Sequence, residues 1–139
     1  MAEPFWGEVA LVPPRGHDLR IVVAAGAVVG AISRVSAPGE WRTNVALGAS
    51  RVPVEPPELA CDLALRAAAA AGAELLGVDL LPDGEGGYTV LELNGAVEFT
   101  SDYALDRDPF AAAASELSRL ALRRPQENPR RTLLPLPLV

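Results

Sequence analysis

Apolar and polar positions alternate in two pairs of short runs, each pair joined by turn-forming residues. The first pair is Asp18-Leu19-Arg20-Ile21-Val22-Val23 and Val28-Val29-Gly30-Ala31-Ile32-Ser33-Arg34-Val35, around Ala25-Gly26-Ala27. It predicts a β-hairpin, with Gly26 free to take positive φ. The second pair is Gly77-Val78-Asp79-Leu80-Leu81 and Tyr88-Thr89-Val90-Leu91-Glu92-Leu93-Asn94, around Pro82-Asp83-Gly84-Glu85-Gly86-Gly87. It predicts a second hairpin with a longer loop. Side chains alternate faces along a strand, so Val90, Glu92 and Asn94 share one face. Thr89, Leu91 and Leu93 take the other and pack inward. A loop centred between Glu85 and Gly86 sets Asp79 opposite Glu92. In the first hairpin Asp18 and Arg20 share a face, and the register sets Arg34 across from Asp18 to within about a residue.

Helical spacing appears twice. Pro56-Pro57 precedes a run from about Glu58 to Ala71, and Gly72 follows it. Proline at the start and glycine past the end are the expected helix punctuation. Leu59 and Leu63, with Ala67 and Ala70, are expected to face the sheet. Asp108-Pro109 supplies an N-cap and first turn for a last helix, Phe110 to about Arg123, with Phe110, Ala114, Leu117 and Ala121 at helical spacing. Arg119, Arg123 and Arg124 suit its C-terminal end, and Pro125 stops it. Glu8 to Val12 reads as a short edge strand, Gly95 to Thr100 as a loop, and Pro125 to Val139 as an extended proline-rich tail. The pattern predicts an α+β domain. Both hairpins form one antiparallel sheet, and helices 58–71 and 109–123 pack on one face of it.

Composition narrows the function classes. At 139 residues, half of them hydrophobic, the chain supports one domain with a real core. No apolar run reaches the roughly 18 residues of a membrane span. No basic region followed by an apolar core marks a signal peptide. Cys61 is the single cysteine, so no internal disulfide forms, and a reducing cytoplasm is expected. A net charge of -6 argues against a nucleic-acid partner. All twelve basic residues are arginine. The absence of lysine removes the usual point-charge phosphate binder.

Candidate chemistry follows from the registers. Asp79 and Glu92 facing each other across a ladder, about 5 Å apart, repel. A hard cation between them turns that cost into a gain, and oxygen ligands that include the Asn94 carbonyl suit Mg²⁺ or Mn²⁺ rather than zinc. The other reading is the wet face of an amphipathic hairpin. Asp18, Arg20 and Arg34 form either an exposed ion pair worth under ~1 kcal/mol or an anion site, since the arginine fork matches carboxylate and phosphate oxygens. After Pro38-Gly39, Arg42, Thr43 and Asn44 offer a cluster of donors, although turn chemistry alone accounts for Asn44. Trp41 is expected as a core anchor. His17 is the only histidine and lies far from Cys61 in sequence, so Cys61 reads as packing and not as a nucleophile. No GxGxxG or P-loop is present.

The ordered set Asp18-Leu19-Arg20, Arg34, Trp41-Arg42-Thr43-Asn44, Gly77-Val78-Asp79 and Leu91-Glu92-Leu93-Asn94 resembles the ATP-grasp ligases. It is most similar to their RimK-type subgroup, which joins glutamate or similar amines to carboxylates. The resemblance covers roughly residues 16–100. It implies Asp79, Glu92 and Asn94 as ligands of Mg²⁺ or Mn²⁺ bridging the ATP phosphates. It implies Asp18, Arg42, Thr43 and Asn44 at the ATP site, Arg34 near the γ-phosphate with Arg42, and Arg20 and Asn44 as acceptor or phosphate contacts. The implied reaction is phosphoryl transfer to a carboxylate, then attack on the acyl phosphate by an amine. ATP, a glutamate-like amino acid and a carboxylate acceptor are the implied small-molecule partners. Glu98-Phe99 leans toward relatives acting on amino-group carrier proteins. Residues 18–124 correspond to the C-terminal lobe of such ligases, 1–17 to a truncated lead-in and 125–139 to the tail. The lysine-bearing lobe is then expected from a longer or a separate chain, and an apolar patch at Val12, Trp41 and Leu133 to Val139 is expected to favour a homodimer or docking of a partner chain. Turnover of ATP by the chain alone is not expected. The alternatives are a non-catalytic module of the same descent that binds a nucleotide, metal or partner, and an unrelated α+β module.

Overall fold

The computed structural model describes residues 15–123. Its core is a five-stranded antiparallel sheet of β1 (His17–Ala24), β2 (Ala27–Val35), β3 (Ser50–Pro53), β4 (Leu75–Pro82) and β5 (Tyr88–Asn94), in the order β3-β2-β1-β4-β5. Helix α1 (Glu58–Ala71) lies between β3 and β4 in sequence, and α2 (Pro109–Arg123) follows β5. Both predicted hairpins form and meet along β1 and β4. No helix among the described residues is long and apolar enough to cross a membrane. The predicted strand 8–12, the tail from Pro125, and the Val12 and Leu133–Val139 parts of the expected patch lie outside the described residues.

The first hairpin turns through Ala25 and Gly26, both at positive φ, between the paired Ala24 and Ala27. Opposite-handed turns of this kind match strand twist, which explains why Ala25 accepts a conformation costly for a residue with a Cβ. Its amide is held by the Glu74 carbonyl at 2.7 Å.

The helices sit on opposite faces, contrary to the expectation that both pack on one. Leu19, Ile21 and Val23 bury against Ala60, Ala64 and Ala68 of α1, with Leu76, Val78 and Leu80 of β4. Val22, Ala24, Val29 and Ile32 bury against Tyr103 and against Ala112 and Ala113 of α2. The physical reason is that Ile21 to Ala24 is apolar without a break, so the central strand needs cover on both faces. In each helix part of the expected stripe packs as foreseen, Leu63 and Ala67 of α1 and Leu117 of α2 being partly buried against the cores, but the most buried positions lie on a neighbouring stripe. Alanines 60, 64 and 68 of α1 face the sheet, while Leu59 is 51% exposed. In α2, Pro109, Ala112 and Ala113 are buried, and the exposed Phe110 stacks on Phe99 at 4.8 Å. Small residues let each helix approach closely, and that approach outweighs burial of a larger side chain one position away. Asp108 caps α2 as expected, its Oδ2 accepting from the Ala111 N–H at 2.9 Å.

Close approach also fixes the segment that covers one end of the α2 face. A Cβ on Gly30 would stand 2.9 Å from the Tyr103 carbonyl oxygen and 3.0 Å from its Cβ. Glycine there lets the short helical turn Ser101–Tyr103 lie directly on β2.

A bulge in β5 corrects the predicted face assignment. Asp79 does pair with Glu92, but Leu80 pairs with Val90, so Leu91 is the extra residue. Val90 therefore joins the α1 core, and Leu91 remains 60% exposed instead of packing inward. Thr89 and Leu93 are exposed as well.

Candidate functional site

The face of the sheet that α2 only partly covers carries a stripe of charged side chains crossing all five strands. Arg51 of β3 pairs with Arg34 of β2, Arg34 with Asp18 of β1, Arg20 of β1 with Asp79 of β4, and Asp79 with Glu92 of β5. Cross-strand partners share a face, so these registers alone line the groups up.

At the middle of the stripe the groups close into a buried network. Arg20 donates to both Asp79 oxygens, Nε to Oδ1 at 2.6 Å and Nη2 to Oδ2 at 2.7 Å. Arg34 donates to both Asp18 oxygens at 2.8 and 2.5 Å, and its Nη2 also reaches Asp79 Oδ2 at 2.8 Å. The Thr43 hydroxyl adds a bond to Asp18 Oδ2 at 2.6 Å. Asp18 is fully buried and Asp79 is 1% exposed. Two cations face two anions, so the network is neutral, and this composition makes burial of four charges tolerable. Hydrogen bonding to Asp79 raises the Arg20 pKa. Burial opposes the Arg34 cation, but hydrogen bonds and attraction from Asp18 and Asp79 outweigh it and raise its pKa too. The alternative of a loose exposed pair therefore does not describe these residues.

A cleft of about 580 Å³ opens above this floor. Asp18, Arg20, Arg34, Arg42, Thr43, Asn44, Asp79 and Glu92 all line it. Asn94 does not; its Oδ1 accepts from the Ala96 N–H at 3.0 Å and closes a turn after β5. Asn44 also serves a turn, with Oδ1 accepting from the Ala46 N–H at 2.9 Å, yet it stays at the cleft. Arg42 forks onto Glu40 at 2.9 and 2.8 Å, and this hydrogen bonding pulls the Glu40 carboxyl down to about 2. Trp41 is a correction: it is 65% exposed, with the Arg42 guanidinium 5.6 Å from its ring centroid, and anchors no core. The loop bringing it here begins with a turn at Pro38-Gly39, closed by the Glu40 N–H on the Ala37 carbonyl at 2.9 Å.

Glu92 is exposed and forms no ion pair among the described residues. Opposite it, Asp79 accepts three N–H bonds, and a carboxylate offers about four acceptor positions. One remains. Asp79 and Glu92 thus give a hard-oxygen pair that fits a divalent cation, while the Asn94 carbonyl oxygen is engaged in the turn after β5. No group of three or more His, Cys, Asp or Glu side chains suited to a metal occurs among the described residues, so such a cation would draw its remaining ligands from a bound molecule or water.

Several cleft residues carried no functional signal in the sequence. Tyr103 lines the wall, fully buried, and burial raises its hydroxyl pKa while Arg20, Arg51 and Arg34 pull part of that rise back. Arg51 sits on β3, a strand that was not expected. Ser50-Arg51-Val52-Pro53 is short, and its proline marks an edge strand; that was the available signal. Cys61 lies on α1 and makes a 3.8 Å contact to the Pro56 carbonyl, and burial pushes its thiol pKa up. It takes no part in the cleft.

Comparison with known proteins decides the family. The profile of the RimK-like ATP-grasp domain matches residues 13–107, more than half of the chain. The chain belongs to the RimK-like ATP-grasp family. An ATP-grasp chain of this kind is similar to the glutamate–LysW ligase ArgX of Sulfurisphaera tokodaii, 33% identical over 85 residues, covering 61% of this chain and 30% of that protein. It is 35% identical over 100 residues to mouse N-acetylaspartylglutamate synthase A, covering 71% of this chain and 26% of that protein. Among solved structures, the ATP-grasp ligase PsnB complexed with a phosphomimetic variant of its minimal precursor, Mg and ADP matches with a TM-score of 0.53 and 25% identity, over 73% of this chain and 32% of PsnB. A Chryseobacterium gregarium RiPP-associated ATP-grasp ligase shares the fold, with a TM-score of 0.56 at 21% identity over 82% of this chain and 35% of that one. The chain therefore spans about a third or less of the length of these relatives. The family match removes the unrelated α+β module from consideration.

Proposed function

We propose that the chain is the phosphate- and metal-handling lobe of a carboxylate–amine ligase. In this reading it binds ATP with Mg²⁺ or Mn²⁺ and serves formation of an amide between a carboxylate acceptor and a glutamate-like amino acid. The acceptor oxygen takes the γ-phosphoryl group and ADP leaves; the amine then attacks the acyl carbon, phosphate departs and the amine gives up a proton. The observation that carries the reading is the buried Arg20–Asp79–Arg34–Asp18 network at the cleft floor, flanked by Glu92, which has no ion pair among the described residues.

Phosphoryl transfer asks the protein for positioning and charge neutralisation rather than covalent help. Asp18 and Thr43 hold Arg34 in one orientation, so Asp18 reaches the nucleotide through the groups it fixes. Arg34 and Arg42 face the charge that develops on the transferred group. Arg42, Thr43 and Asn44 line the side of the cleft where ATP lies, and Arg20 and Asn44 contact the acceptor or its phosphate. Asp79, Glu92 and Asn94 hold the cation, which when bound supplies Lewis-acid neutralisation of the phosphate oxygens. Because the chain contains no lysine, further cationic groups on the phosphates come from another lobe or from a second copy of the chain. Relatives roughly two to three times as long support this.

Amide NMR spectra of the full chain titrated with ADP test the reading. Shifts at Thr43, Asn44 and Glu92 that require Mg²⁺ are expected; their absence contradicts it. A second reading, a non-catalytic binding module of the same descent, draws on one observation: all of Asp79's short contacts go to arginines. Shifts at Thr43 and Asn44 that are indifferent to Mg²⁺ would favour that module.

A further inference from the structure

Of the arginines lining the cleft, three are matched by a carboxylate. Arg20 has Asp79, Arg34 has Asp18 and Asp79, and Arg42 has Glu40. Arg51 also lines the cleft, is exposed, and has no acidic partner among the described residues. It stands directly across β2–β3 from Arg34, a like-charge juxtaposition that costs stability unless an anion lies between. The charged stripe is therefore polarised, with an unmatched cation on edge strand β3 and an unmatched anion, Glu92, on edge strand β5. Four strand spacings separate these two edges, roughly 19 Å.

We propose that Arg51 is a substrate-recognition residue that binds a carboxylate of the acidic ligand to be joined, at the β3 end of the cleft, one strand beyond Arg34. This deepens the ligase reading and rests on it, because the Glu92 end is assigned there to the nucleotide. A triphosphate held at Asp79 and Glu92 that reaches Arg34 stops one strand short of β3, so the anion at Arg51 is assigned to another group. Guanidinium and carboxylate match as two parallel charge-assisted hydrogen bonds, a geometry open to Arg51 because no carboxylate among the described residues occupies its fork. Tyr103, whose hydroxyl feels the Arg51 charge, walls the same end and limits how far the ligand slides toward α2.

The test uses the full 139-residue chain with glutarate, inorganic phosphate and Mg-ADP as probes, read by the Arg51 Nε–H resonance and by calorimetry. The variants are Arg51→Gln and Arg51→Lys, with Arg66→Gln on the opposite face of the sheet as control. Glutarate is expected to shift the Arg51 resonance. Arg51→Gln is expected to weaken glutarate by about ten- to a hundredfold, and Arg51→Lys by less, while Mg-ADP affinity stays within about twofold in both. Equal weakening of phosphate and Mg-ADP with glutarate untouched would assign Arg51 to the nucleotide and overturn the proposal. No change for any probe would overturn it too, as would a wild-type chain that binds Mg-ADP but not glutarate; both leave the ligase reading standing. Arg51-dependent glutarate binding without any Mg-ADP binding would sink the ligase reading alone. A wild-type chain that binds none of the three overturns both.

Discussion

Asp18→Asn removes one charge from the neutral network and little volume, so its cost isolates the electrostatics of the cleft floor. Asp18 is fully buried and accepts three bonds, from Arg34 Nε, Arg34 Nη2 and the Thr43 hydroxyl. An asparagine keeps one acceptor oxygen and turns an NH₂ toward donors, so at least one charge-assisted bond becomes a donor–donor contact. Such bonds carry about 1.5–3 kcal/mol, and breaking one partner of a buried ion pair costs about 3–5 kcal/mol. The network's net charge meanwhile rises from zero to one positive. The expected destabilisation is about 3–5 kcal/mol, a large share of the 5–15 kcal/mol typical of a domain. Urea unfolding at pH 7, followed by circular dichroism and extrapolated linearly, reads it directly. Asp62→Asn, which breaks the exposed Asp62–Arg66 pair on α1, is the control and should cost under ~0.5 kcal/mol. Adding Arg34→Met to Asp18→Asn should cost less than the sum of the single changes, by about 0.5–3 kcal/mol, because the orphaned cation is gone. If Asp18→Asn costs less than ~1 kcal/mol, the value of a solvated pair, the network is wet and the reasoning fails.

Other outcomes follow from the same geometry. Gly30→Ala should destabilise by about 1–3 kcal/mol, measured in the same urea assay, because its Cβ would meet the Tyr103 backbone at 2.9 Å. Glu40, with its carboxyl pulled down to about 2 by Arg42, should stay ionised and paired above the ordinary carboxylate range and lose the pair only as pH falls toward 2. A carbon-detected NMR titration with a Glu40 midpoint near 4.5 would contradict this. The purified 139-residue chain with ATP, Mg²⁺, glutamate and a panel of carboxylates should release ADP at no more than background, since each missing phosphate-stabilising donor costs roughly 10²–10³ in rate. Robust acceptor-dependent ADP release would show that its arginines suffice.

What the sequence disclosed, and what it hid, divides along physical lines. Strand registers were legible because turns fix them: Asp18 meets Arg34 and Asp79 meets Glu92 as the hairpin centres imply. Both matches have an unexpected cause. In the first hairpin Ala24 pairs with Ala27, and a bulge at Val29 restores the offset by one residue; in the second the loop is centred on Glu85, with Pro82 paired to Tyr88, and the bulge at Leu91 does the same. Bulges leave no mark in an alternating pattern, so the face of Val90 was misread. Helix bounds were legible because Pro56-Pro57, Gly72 and Asp108-Pro109 act locally. Their buried stripes were legible only in part, at Leu63, Ala67 and Leu117, since alanine against leucine is decided by how closely the helix docks. The convergence of Arg20, Arg34, Asp18 and Asp79 into one network needed the β1–β4 pairing, a long-range contact that no local pattern specifies. That Asp79 spends three acceptor positions on arginines, leaving Glu92 as the freer ligand, was hidden for the same reason.

The claim that the cleft holds a metal–nucleotide complex is tested most directly by water-proton relaxation of Mn²⁺ with ADP and the full chain, wild type against Glu92→Gln. Glu92 is exposed and forms no ion pair among the described residues, so the substitution leaves the buried network and the fold untouched. The account predicts relaxation enhancement with the wild type that collapses in the variant. Superimposable titration curves for the two proteins would contradict it.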